Sequence, residues 1–179
     1  MSVEKRLQAI EDRQELWDLI SRYCNAVDDR DIDTIISLFT PDGSMGHADG
    51  ATEGSGPDGI REYYESKLVH FEHCYHYAHN QLVEFTSTDR ARGVVNAHAE
   101  MVIDGEAILA ALRYYDEYQR VDGRWRFQQR RSRFYYTMPI AELATGLAQP
   151  NKKRWPAPPT PADLPDSIET YQEFRARTS

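Results

Sequence analysis

Apolar residues recur at intervals of three, four or seven along residues 4–29. Ile10, Trp17, Ile20, Cys24 and Val27 mark one stripe of a long amphipathic helix. Asp28 follows Cys24 by four positions and so falls at the edge of that stripe, while Asp29 turns a further ~100° towards solvent. In "DIDTIISLF" a second, short helix is predicted, with Asp31 as its N-cap and Ile35, Leu38 and Phe39 as its apolar face. "TPDG" (Thr40 to Gly43) is a turn signal that ends it. The Gly-rich stretch from Ser44 to Gly56 reads as a short hairpin or loop. A third helix follows in "GPDGIREYYESKLVHF", with Pro57 near its start and Ile60, Tyr63, Tyr64 and Leu68 along one side.

The periodicity then changes. Residues 74–88, 91–104, 106–121 and 124–138 are long segments with β-branched and aromatic residues, separated by "STDR", "DG" and "VDGRW". Asp104-Gly105 and Asp122-Gly123 are hairpin signals, because both central residues of a type I′ turn need positive φ. Three helices followed by a meander predict an α+β fold, a cone in which the helices lie on the concave face of a curved, mainly antiparallel sheet. A pocket is expected between the layers.

Residues 1–145 carry these elements. The remainder, 146–179, begins with a proline-rich tail: Leu147 to Pro165 holds six of the nine prolines, which excludes helix or central strand there. The tail is expected to pack on the domain or on a neighbouring subunit, and "DSIETYQEFRART" can close the chain with a helix.

Composition narrows the function. The chain has 179 residues, with 29 acidic and 21 basic side chains and a formal net charge of -8. That balance disfavours nucleic acid, whose phosphates demand Lys and Arg. No apolar run approaches the ~20 residues that span a bilayer, so no membrane partner is expected. The charged first residues predict no secretory leader. Two cysteines, Cys24 and Cys74, make no disulfide framework, which suits a reducing, cytoplasmic setting.

"HCYHYAHN" (His73 to Asn80) holds the candidate chemistry. On a strand, His76 shares a face with Cys74, Ala78 and Asn80, while His73 and His79 point the other way. The separation argues against a three-histidine metal site. An inward His76 needs a polar partner, and Asp28 at the edge of the first helix is the candidate. A carboxylate on one ring nitrogen fixes the tautomer and makes the other nitrogen more basic, able to take a proton from a substrate carbon or hydroxyl. The plainer reading is a satisfied core histidine and a helix-capping aspartate. In "VVNAHAEMVI", small neighbours at Ala97 and Ala99 leave room for a ligand beside His98. Without a Gly-rich phosphate loop or a spaced Cys/His ligand set, neither a cofactor nor a metal is expected.

The order of elements, with "RYCNAVDDRD" ending the long helix, "LFTPDG" beyond it, "HYAHNQLVEF" opening a strand and "YYDEYQRVDGRWRF" across the last hairpin, resembles the SnoaL-like branch of the nuclear transport factor 2-like superfamily. This branch includes scytalone dehydratase and bile-acid dehydratase, and the resemblance spans roughly residues 4–140. It implies that Asp28 and His76 form the acid/base dyad and that Tyr23 binds substrate oxygen. It also implies an arginine in the pocket. Counting from Trp125 towards Pro139 points to Arg130, whereas matching other members favours Arg133. The implied activity is a cofactor-independent, dehydratase-like lyase acting on a small hydrophobic cyclic substrate. An isomerase or polyketide cyclase using the same dyad, and a non-catalytic binding or assembly module, are the alternatives. A homo-oligomer, trimer or dimer, is expected from the Tyr-, Arg- and Gln-bearing outer sheet face.

Overall fold

The computed structural model describes residues 2–50 and 52–178. Helix α1 (Val3–Asp28) starts at Ser2, whose side chain accepts from the Lys5 N–H. Its buried stripe is Leu16, Leu19, Ile20, Tyr23, Cys24 and Val27, which keeps the predicted Ile20, Cys24 and Val27. Trp17 is only half-buried and Ile10 is 64% exposed, because the first turns of α1 carry no packed face. Asp31 caps α2 (Ile32–Ser37) as expected, accepting from the Thr34 N–H at 3.0 Å. Helix α3 (Gly56–Leu68) has Pro57 in its first turn and buries Ile60, Tyr64 and Leu68.

Among the described residues, six strands form one sheet: β1 (Phe39–His47), β2 (Glu53–Ser55), β3 (His73–Phe85), β4 (Arg90–Ile103), β5 (Glu106–Val121) and β6 (Arg124–Pro139). Their order is β2-β1-β6-β5-β4-β3, with β1 parallel to β6 and every other pair antiparallel. The two Asp-Gly turns form as expected: Asp104 and Gly105 have φ of 51° and 73°, and Asp122 and Gly123 have φ of 50° and 75°. The helices and the mixed, mainly antiparallel sheet make the predicted α+β cone.

Two local expectations are corrected. Thr40–Gly43 is not a turn outside the sheet but an irregularity within β1. Phe39 pairs with Phe127 and Ser44 with Gln129, so five steps along β1 match two along β6. Pro41 has no N–H to give the ladder, and Thr40 Oγ1 instead bonds Gln128 Oε1 at 3.0 Å. In β3, the pairing jumps from Ala78↔Ala97 to Asn80↔Asn96. His79 is the extra residue of a bulge, which inverts the alternation beyond it. Asn80 therefore faces outward, accepting from Asn96 Nδ2 at 3.0 Å, rather than sharing the inner face with His76.

The core lies between α1, α3 and the concave side of the sheet, with Leu16, Ile20, Tyr23, Ile35, Phe39, Ile60, Val95, Tyr118 and Phe127 among its buried members. A charge sits inside it. Arg130 and Asp116 have fully buried side chains joined at Nε–Oδ1 3.0 Å and Nη2–Oδ2 3.2 Å. The guanidinium also lies over the rings of Tyr114 (4.0 Å), Tyr23 (4.2 Å) and Phe127 (4.5 Å). Its Nη1 has no hydrogen-bond partner among the described residues, so those ring faces are its neighbours. Burial opposes the charge, yet Asp116 keeps Arg130 firmly protonated. Breaking such a pair strands a buried ion. Asp116→Ala is expected to lose about 3–5 kcal/mol in urea unfolding, and Asp116→Ala/Arg130→Met should recover part of that loss. An unchanged midpoint in Asp116→Ala would show that the pair does not hold the core.

Candidate active site

The sheet is not filled evenly on its concave side. His76 pairs with Ala99, Ala99 with Ala110, and Ala110 with Thr137, so small side chains cross β4, β5 and β6 in one row. Elsewhere on that face large residues reach the helices; here they do not, and a cavity of about 400 Å³ remains. Its wall is mostly apolar, with Met45, Phe71, Met101, Leu112 and Phe134, and His76 and Tyr23 open onto it. This size suits a small ring compound.

Asp28 reaches His76 twice. Oδ1 lies 2.7 Å from Nδ1, and Oδ2 accepts the His76 backbone N–H at 2.8 Å. The last residue of α1 is thereby fastened to the start of β3, and Nε2 is the ring nitrogen left for the cavity. Both side chains are mostly buried, at 13% and 21% exposure. Burial disfavours a charged imidazole, but the Asp28 hydrogen bond outweighs it, and the His76 pKa is raised to about 9. Cys74 Sγ lies 3.5 Å from the same Nδ1.

Among the described residues, Asp28, Cys74 and His76 could share a metal, with ligand atoms within 4.8 Å of one another. However, 2.7 Å between Asp28 and His76 is a hydrogen-bond length. Tetrahedral ligands at zinc distances sit ~3.3 Å apart. As arranged, the set fits a proton better than a cation.

Tyr23 lines the cavity from α1, and its hydroxyl accepts from Tyr64 at 2.9 Å. Burial pushes the phenol pKa up, and the Arg130 guanidinium over its ring works in the opposite direction. Burial prevails, so Tyr23 stays neutral, with its O–H kept as a hydrogen-bond donor.

The far side of the cavity is closed by the tail. Trp155, Pro156, Ala157, Pro158 and Thr160 line it, with Trp155 packed edge-on against Phe71 at 5.1 Å. Asp163 anchors this segment. It takes His47 Nε2 at 2.8 Å, Lys153 Nζ at 2.7 Å and the Phe134 N–H at 2.8 Å. Burial would raise the Asp163 carboxyl, but these partners hold it well below the usual carboxylate range. His47 is shifted the other way, raised chiefly by Asp163, with Asp49 on its other nitrogen at 2.7 Å.

The structure thus puts His76 and Tyr23 on one cavity, with Asp28 bonded to His76 behind it, and puts the other sequence candidates elsewhere. His98 is on the outer face, stacked on Tyr77 at 4.7 Å and bonded to His79 Nε2 at 2.7 Å. Strand alternation explains this: the small residues Ala97 and Ala99 face inward and make the room, so His98 between them faces out. Arg133 also points away from the cavity, to the Asp163 carbonyl at 3.2 Å and to Ser167. Arg130 lies behind Tyr23, in the core. Sequence reasoning missed His47, Lys153 and Asp163, whose meeting depends on the path of the tail. It also missed Lys67, although its spacing of three and four from Tyr64 and Tyr63 placed it on the inner side of α3.

Residues 8–131 match the SnoaL-like domain. Gamma-hexachlorocyclohexane dehydrochlorinase of Sphingobium indicum is 31% identical over 140 residues, 76% of this chain and 89% of that protein. A crystal structure of LinA superposes with a TM-score of 0.72 at 29% identity, covering 77% of this chain and 95% of that one. Hexachlorocyclohexane dehydrochlorinase LinA-type3 from Novosphingobium barchaimii gives 0.70 at 26% identity, covering 77% and 96%. The family match covers most of α1, then α2, α3, β1 to β5 and the first half of β6, and on it the chain belongs to the SnoaL-like family, built on the nuclear transport factor 2-like fold.

Proposed function

We propose that the protein is a cofactor-independent lyase that removes a proton and a leaving group from a small, largely apolar cyclic substrate. The observation that carries this reading is the 2.7 Å bond from Asp28 to His76 Nδ1, which leaves Nε2 on the cavity side. Elimination is also the chemistry named in the dehydrochlorinase relatives.

In this reaction the neutral His76 takes a proton from a substrate carbon through Nε2. The C–H electron pair becomes the new C=C bond, and the leaving group departs from the adjacent carbon with its bonding pair. The Asp28 carboxylate, bonded to Nδ1, stabilises the imidazolium that forms. Tyr23 donates a hydrogen bond to the electronegative group on which charge develops. The apolar wall and the tail exclude water, so each of these interactions acts in a low dielectric. General base catalysis of this kind contributes ~10²–10⁴-fold. The outward Tyr75 and Tyr77 and the exposed Leu82 suit contact with a second copy of the chain, which agrees with a homo-oligomer.

Chloride release from gamma-hexachlorocyclohexane probes the elimination directly. Wild-type protein should release chloride, whereas His76→Ala and Asp28→Asn should be slower by ~10²–10⁴-fold with unchanged circular dichroism. Wild-type rates in either variant, or no release by the wild type, would contradict the reading.

The pH dependence has a definite sign. With an imidazole pKa of about 9, only the deprotonated fraction acts as base. Its kcat/KM should therefore rise ~10-fold per pH unit and level off above that pKa. A profile already flat at neutral pH would mean that His76 is not the base.

Stability should show the same group with opposite slope. A folded-state pKa raised from 6.5 to about 9 stabilises fully below the former and loses that contribution as pH rises through the latter. The stability difference between wild type and His76→Ala, from urea unfolding, should shrink between pH 6.5 and about 9. A difference that is constant over this window would count against the raised pKa.

A further inference from the structure

The charges around the cavity form pairs, with one exception. His76 is on Asp28, His47 lies between Asp49 and Asp163, and Lys153 is on Asp163. Lys67 lines the same cavity from α3, yet among the described residues no carboxylate comes within 4.0 Å of its ammonium. Its one charged-group contact is with the face of the Tyr63 ring, at 4.9 Å. Its pKa is lowered by burial, and no neighbouring anion pulls it back.

A half-buried cation beside an apolar wall is costly unless something in the space compensates it. Everywhere else around this cavity the chain supplies the counter-charge itself. We infer that Lys67 receives an anionic group of the ligand, and that the substrate is a small carboxylic acid with an apolar ring body. The ring fits the hollow over Ala99 and Ala110, and the carboxylate meets the Lys67 ammonium, with the Tyr63 ring supporting the same cation. Gamma-hexachlorocyclohexane has no such group, so it reports on the elimination chemistry without engaging Lys67. The inference rests on reading this cavity as the substrate site.

The simpler alternative is that Lys67 only extends along the wall to reach water. Equilibrium dialysis with 1-naphthoate and the neutral 1-naphthylmethanol separates the two. Wild-type protein should prefer naphthoate. Lys67→Met should bind naphthoate about fivefold or more weakly, the loss of one partly buried charge pair, and naphthylmethanol within about twofold. Lys67→Arg should keep the preference. An unchanged naphthoate affinity in Lys67→Met, or no naphthoate binding by the wild type, overturns the inference. Naphthoate binding unaffected by Lys67→Met, together with a dead His76→Ala, would remove the role of Lys67 and leave the proton-transfer reading intact.

Discussion

One carboxylate joins the end of the first helix to the start of the third strand. Asp28 spends both oxygens on a single residue, one on the His76 ring and one on its backbone N–H. The second bond fixes where β3 begins relative to α1, and the first fixes which way the imidazole faces. A histidine bonded through its ring alone could swing about χ1. One held at the backbone as well has its Nε2 pointed by the fold. The same bond reverses the effect of burial, which on its own would leave this histidine neutral and weakly basic.

Around that bond the concave side of the sheet divides into two kinds of interior. Where Tyr114 and Tyr118 of β5 and Phe127 of β6 meet Tyr23 of α1, it is packed solid around the buried Arg130–Asp116 pair. Along the row from His76 of β3 through Ala99 and Ala110 to Thr137 of β6, small side chains leave a hollow. Tyr23 belongs to both regions. Its ring is held by the core and its hydroxyl edge opens on the cavity, so core electrostatics reach the reacting site through one side chain. The tail then covers the hollow with Trp155 and Pro156, tied down through Asp163.

The fold was largely legible because its signals are local: helix caps, apolar periods and two Asp-Gly turns. Asp28 and His76 were legible for a different reason. Each sits at the margin of a buried stripe, where a polar group must find a partner. Signals that depended on counting positions along a strand were less secure. The bulge at His79 reversed the faces of all later β3 residues, and nothing in "HCYHYAHN" marks it. "AHA" in β4 correctly indicated space, but the alanines face it and His98 does not. The choice between Arg130 and Arg133 was open in the sequence; the structure puts one in the core and the other against the tail. The Asp163 anchor was out of reach, since proline-rich chain has no period from which a path can be read.

Proton abstraction in this cavity depends on Asp28 making His76 a strong base. Titration of ¹⁵N-histidine-labelled protein by NMR measures this without any substrate. His76 should titrate near 9 in the wild type and fall towards or below the ordinary histidine value in Asp28→Asn, where burial acts unopposed. A wild-type His76 that titrates at the ordinary value and does not move in Asp28→Asn would contradict it.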